Sequence, residues 1–145
     1  MKLEKILVPV DYSEGSKEAL AFAIDLAREF NASIEVLHIV DSRSISYVAY
    51  SGTMITRLLE TLEHDLRQMI AGVDTKGVRI EASVSDRFGV PHAEILEEAK
   101  SRGVDLIVLG THGRTGISHA LLGSVAEKVV RLAPCPVLTV RMKSS

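Results

Sequence analysis

A chain of 145 residues, 46% hydrophobic and 25% charged, has the balance of a soluble globular domain and the length to bury one core. Its formal net charge of −2, with no basic stripe, helix-turn-helix pattern or zinc spacing, argues against a reader of nucleic acid or a protein drawn to anionic membranes. A single cysteine, Cys135, excludes an internal disulfide and a multi-cysteine metal centre; set between prolines in "APCPV", it reads as a small packed apolar residue in a reducing compartment.

The apolar run near Ile6 ends in acids and is too short for a signal segment. No stretch approaches the roughly twenty apolar residues of a membrane helix, so the expected location is the cytoplasm. Residues 5–10, "KILVPV", form a short continuous apolar run closed by Asp11, the pattern of a strand covered on both faces. Beyond it the period changes. Ala19, Leu20, Ala23, Ala27 and Phe30 recur at helical spacing, with Ser13 as the expected N-cap and Asn31 as the stop. "SIEVLHIVD" predicts a second strand, with Val36, Leu37, Ile39 and Val40 as its apolar body.

Residues 42–54 carry no clear period and predict a long loop or a short helical turn. From Ile55 onward, Leu58, Leu59, Leu62, Leu66, Met69 and Ile70 form a helical stripe expected to be core, opposite a charged face. Val78, Ile80, Ala82 and Val84 alternate as in a half-buried strand near a sheet edge. Pro91 opens a third helix and Gly103 closes it. "VDLIVLG" predicts the most buried strand, "LLGSVAEKVVRLAP" a helix stopped by Pro134, and "PVLTVR" a final strand.

Strands and helices thus alternate from end to end, and no repeat, linker or low-complexity segment divides residues 1–145, which are expected to be one domain. The fold class is α/β: a doubly wound five-stranded parallel sheet, Rossmann-like with strand order 3-2-1-4-5, with helices on both faces. Ligands in such sheets sit beyond the carboxyl ends of the strands, where the winding reverses. For this connectivity the crevice lies between the first and fourth strands, with Asp11 on one side and Gly110 on the other.

After the fourth strand the chain reads "GTHGRTGISHALLGS". Glycine at 110, 113, 116 and 123 permits close approach to the main chain. The helix that begins near Ser124 offers unsatisfied N–H groups and partial positive charge, which suit a phosphate. Ser124 can cap that helix or donate to a phosphate oxygen, and Arg114 adds charge. Neither G-x-x-x-x-G-K-[ST] nor G-x-G-x-x-G is present. On the residues alone two readings stay open: a nucleotide or phosphate site, and a plain crossover with glycine caps.

The spacing Gly110-x2-Gly113-x9-Gly123-Ser124 resembles the nucleotide-binding signature of the universal stress protein family. The likeness covers nearly the whole chain, through "ILVPVDYSEGSKEAL", "LHIVD", "GVPHAEILEEA", "VDLIVLGTHGRTG", "LLGSVAEKVV" and "CPVLTV". It implies ATP, or ADP or AMP, in the crevice, since the full glycine pattern marks the ATP-binding branch. It places Pro9, Val10 and Asp11 beside the adenosine and Ile39, where many relatives carry valine, against the adenine. Gly110, Thr111 and His112 would run along the ribose, with Gly113 and Arg114 near the phosphates. The N–H groups of Gly123, Ser124 and Val125 would complete the anion cradle. It also implies Mg²⁺ or Mn²⁺ carried by the nucleotide.

Beside these roles stand plainer ones. Asp11 can cap the first helix, His112 can be loop packing, and His38 a hydrogen-bonded strand histidine. No general base accompanies the phosphate loop, and no Ser-His-Asp or Cys-His arrangement is apparent, so the expected activity is nucleotide binding with hydrolysis absent or slow. The reading is an ATP-binding stress-response or regulatory protein; the alternatives are a dimeric adaptor with structural nucleotide, or a slow ATPase. The family's usual dimer pairs the last strands, which implies a homodimer through Val137 to Arg141. A phosphoacceptor receiver, with Asp86 after the third strand as acceptor, is disfavoured because paired acids after the first strand are missing.

Overall fold

Short apolar runs and stripes of period 3.6 alternate along this chain, and they become strands and helices respectively. The computed structural model describes residues 2–42, 52–112 and 122–142. Its elements are β1 (Lys5–Val10), α1 (Glu14–Phe30), β2 (Ser33–Asp41), α2 (Gly52–Ala71), β3 (Ile80–Gly89), α3 (Pro91–Arg102), β4 (Leu106–Gly110), α4 (Ser124–Leu132) and β5 (Val137–Val140). All strand pairs are parallel, in the order β3-β2-β1-β4-β5. The predicted fold class and strand order are those of the structure.

Successive strand residues point to opposite faces, and both faces are covered. Ile6, Val8, Ile34, Val36 and Val108 pack with Ala19, Leu20, Ala23 and Ile24 of α1. Leu7, Leu37, Ile107 and Leu109 face the other way, against Ile95 and Ala99 of α3 and Ala126 and Val129 of α4. Cys135 is half-buried and packs against this second cluster, as a small apolar side chain would.

The predicted helix ends follow from local chemistry. The Ser13 side chain accepts the Ser16 N–H at 3.2 Å, and Asn31 closes α1 in the left-handed region at φ 54°. Gly103 closes α3 at φ 61°. Asp11 does not cap α1, because Ser13 takes that place. The carboxylate of Asp11 instead accepts the Ser13 N–H at 3.0 Å and orders the turn that leads into the helix.

Helix α2 departs from expectation. Of its apolar stripe only Leu66 is buried; Met69 and Ile70 pack against the core from half-buried positions, and Leu58, Leu59 and Leu62 are half-buried too. The reason is topological. This helix covers β3, which is an edge strand among the described residues, so there is less core for it to reach. Strand β3 itself continues to Gly89, which puts Asp86 inside the strand rather than after it.

At the amino ends of the strands, away from the crevice, polar side chains stitch the layers. Arg102 donates to Glu98 at 2.7 Å, to Glu35 at 2.8 Å and to Ser83 at 3.3 Å. Burial acts to lower the Arg102 guanidinium, but its hydrogen-bonded carboxylates outweigh that and hold it above its ordinary value. Among the described residues, no helix is long and apolar enough to cross a membrane.

Candidate functional site

The winding reverses between β1 and β4, because α1 and α2 lie on one face of the sheet and α3 and α4 on the other. The loops leaving these two strands part, and a cleft of about 500 Å³ opens between them. Every predicted site residue among the described ones lines it. Pro9, Val10 and Asp11 come from the end of β1 and Ile39 from β2. Gly110, Thr111 and His112 come from the exit of β4, and Gly123, Ser124 and Val125 from the start of α4. Gly113 and Arg114 lie outside the described residues.

One side of the cleft is formed by the exit of β4 and the start of α4. Thr111 is buried and acts as its hub: its N–H donates to the Val140 carbonyl at 3.1 Å, and its own carbonyl accepts the Gly123 N–H. The Thr111 hydroxyl lies 3.1 Å from Nδ1 of His112, which orients that ring by a local bond. Gly123, not Ser124, is the N-cap of α4, with extended backbone and no side-chain cap bond. Ser124 is therefore the first helical residue, and the Gly123 N–H is already engaged. The first intrahelical bond runs from the Glu127 N–H to the Gly123 carbonyl at 2.9 Å. Ser124, Val125 and Ala126 precede it, so their N–H groups have no acceptor within the helix. All three residues line the cleft, where the helix start carries partial positive charge.

The other side is apolar. Leu37, Ile39 and Val40 of β2 form its floor, Leu58 and Leu62 of α2 one wall, and Pro91 and Ile95 of α3 the other. Asp41 stands at its rim, just after a shift in the β2–β3 register. Sequence patterns missed these wall residues, since periodicity assigns leucines to a helix face without saying what the face looks onto. His38 also lines the cleft and donates from Nδ1 to the Val10 carbonyl at 2.8 Å, as a satisfied strand histidine does.

The lining combines apolar side chains of β2, α2 and α3, the polar Asp11, Ser13 and Ser16, and the residues that open α4. Such a combination of surfaces suits a molecule with an aromatic ring at one end and phosphate at the other. Among the described residues, no group of three or more His, Cys, Asp or Glu side chains is placed to hold a metal ion.

The sequence model of the Universal stress protein family matches residues 2–141 of this chain. The chain is 39% identical to the universal stress protein MJ0531 of Methanocaldococcus jannaschii over 141 residues, covering 95% of this chain and 82% of that one. Among solved structures, that of MJ0577, a protein of the same organism described as hypothetical, superimposes with a TM-score of 0.84 at 31% identity, with 100% of both chains covered. A universal stress protein from Archaeoglobus fulgidus, solved in complex with dAMP, shares the fold with a TM-score of 0.65 at 24% identity, covering 96% of this chain and 98% of that one.

Proposed function

The chain belongs to the universal stress protein family, and on that premise we propose that its cleft binds an adenine nucleotide and that the protein works as a nucleotide-dependent stress-response or regulatory module. One observation carries the reading: the cleft is lined both by apolar side chains about Ile39 and by the residues that open α4, whose N–H groups have no acceptor within the helix. Adenine lies against these apolar side chains, with its edge read by main-chain groups near Ile39. Pro9, Val10 and Asp11 border the adenosine, while Gly110, Thr111 and His112 flank the ribose. The phosphates lie at Ser124, Val125 and Ala126, with Gly113 and Arg114 of the intervening loop as further phosphate contacts. The dAMP complex of the Archaeoglobus relative supports this choice of base.

ATP is the nucleotide proposed, with ADP and AMP as the same ligand class. The cation, Mg²⁺ or Mn²⁺, travels on the phosphates and water, as hard cations commonly do. Hydrolysis in this reading is absent or slow, the nucleotide being held chiefly by main-chain N–H groups. The domain spans residues 1–145 and acts in the cytoplasm. It pairs with a second copy through Val137 to Arg141, because β5 is a sheet edge whose four residues are only half-buried in the single chain.

Titration calorimetry with AMP, ADP and ATP, with and without Mg²⁺, combined with a phosphate-release assay, tests the proposal. The expected result is micromolar affinity, with turnover well below the roughly 1–1000 s⁻¹ of dedicated enzymes. Absence of heat with all three nucleotides would overturn it.

A further inference from the structure

Tyr12 occupies a backbone conformation that few non-glycine residues adopt, with φ at 65°. It follows Asp11 directly, at the point where β1 hands over to α1. Two contacts accompany that conformation. The Tyr12 hydroxyl donates to the Leu62 carbonyl at 3.2 Å, across fifty residues of chain. Its ring packs on the His38 imidazole with centroids 4.6 Å apart. His38 in turn holds the Val10 carbonyl. One side chain therefore joins the end of β1, the end of β2 and the middle of α2.

The helix it reaches has two unlike halves. Leu66 is buried, and Met69 and Ile70 pack on the core beside it, which anchors the carboxyl half. The stretch ahead of Leu66 instead carries Leu58, in the amino half, and Leu62, at the middle, to the cleft wall, where both stay half-buried. A carbonyl has two lone pairs, so Leu62 can accept the tyrosine hydroxyl without giving up its place in the helix. The hydroxyl is thus a polar tie at the middle of α2, one turn before the buried Leu66, at the point where the less buried amino half begins.

We propose that Tyr12 is a positioning residue that couples occupation of the cleft to the ordering of the amino half of α2. The inference rests on the nucleotide reading of the cleft and adds to it a responding element. A ligand that fills the cleft touches the Asp11 turn on one side and the Leu58–Leu62 wall on the other. Tyr12 bridges these two surfaces from behind. Fixing the turn fixes the hydroxyl, the hydroxyl fixes the helix, and by linkage an ordered helix favours the bound ligand. The solvent face of α2, with Glu60, Glu63, His64 and Arg67 exposed, then becomes the surface that differs between empty and filled protein.

Hydrogen exchange on the full chain, with and without saturating AMP or ATP, tests this, read beside titration calorimetry on the same samples. In the wild type, amides of residues 55–66 are expected to gain at least fivefold protection on nucleotide addition. In Tyr12→Phe, which keeps the ring on His38 but loses the hydroxyl, calorimetric affinity should fall by less than tenfold. The α2 gain should disappear, while the gain at the start of α4 persists. Tyr12→Leu, which has no side-chain donor at all, provides a second variant should the first fold poorly, with the same expectation. Heat of binding without any α2 gain in the wild type overturns the coupling and leaves the nucleotide reading intact. So does an equal gain in wild type and variant, or a loss of protection spread evenly over the sheet, which is the mark of a merely structural role. No heat in the wild type overturns both.

Discussion

Gly15 and Gly110 meet backbone to backbone, with no side chain between them. A Cβ on Gly110 would lie 2.9 Å from the Gly15 carbonyl oxygen, and one on Gly15 would lie 2.8 Å from the carbonyl oxygen of His112. The start of α1 is tucked against the exit of β4, and main-chain atoms cannot swing aside as a flexible side-chain end can. Gly110 is bare because the protein's own helix fills that space. Gly110→Ala should therefore destabilise the ligand-free protein by about 1–3 kcal/mol, the usual cost of overpacking. Urea denaturation should show a lower midpoint at unchanged slope; an unchanged midpoint would mean that α1 shifts freely.

Ser124 separates binding from stability by sign. A carboxylate at the first turn of a helix is favourable, by about 0.3–1 kcal/mol. The same charge repels a phosphate at the same N–H groups. Ser124→Glu should leave the denaturation midpoint equal or higher and weaken AMP and ATP at least tenfold, about 1.4 kcal/mol. Undiminished affinity would move the phosphates away from α4.

The dimer prediction turns on strand register. The Pro136 and Val140 carbonyls accept from Ile107 and Thr111, so they point at β4. With a period of two, the N–H and carbonyl of Thr139 point to the open edge. Thr139→Pro removes that outward donor and blocks strand addition. Light scattering at micromolar concentration should report a dimer for the wild type and a monomer for the variant, with far-UV circular dichroism unchanged. A wild-type monomer would refute pairing through β5.

Burial pushes the Cys135 thiol up, and the charge of Asp105 adds to this, against a smaller opposing effect of its hydrogen bond with the Ile107 backbone. A raised folded-state value means the native protein holds this proton more tightly than the unfolded chain. The stability it contributes is full below the unfolded thiol's value, near pH 8.5, and is lost as pH rises through the folded one. Cys135→Ala should flatten the alkaline fall in denaturation midpoint. The native thiol should also react with a disulfide reagent at least tenfold more slowly than the urea-unfolded chain, and equal rates would contradict the burial.

Much of the cleft's lining was legible before any coordinates. Asp11 and Gly110 lie almost a hundred residues apart, yet the alternation of elements placed them across one crevice, because parallel winding leaves little choice of where the sheet reverses. The wall of the cleft was not legible. Leu58 and Leu62 share the stripe of Leu66, and nothing in a repeat of leucines marks which of them reaches the core. That the Gly123 N–H is already taken was not legible either, for a similar reason. Pairing of the Gly123 N–H with the Thr111 carbonyl depends on how β4 and α4 approach each other, and no local pattern encodes that approach.

By itself the sequence determined the elements, their caps at Ser13, Asn31 and Gly103, and the parallel order of the sheet. These follow from interactions within a few residues of chain and from the two periods of backbone geometry. The tertiary structure alone decided that Gly110 makes room for Gly15, that the Gly123 N–H meets the Thr111 carbonyl, and that Tyr12 reaches α2. Each of those is a distance between segments far apart in the chain, set by how whole layers pack and by no single segment's preference.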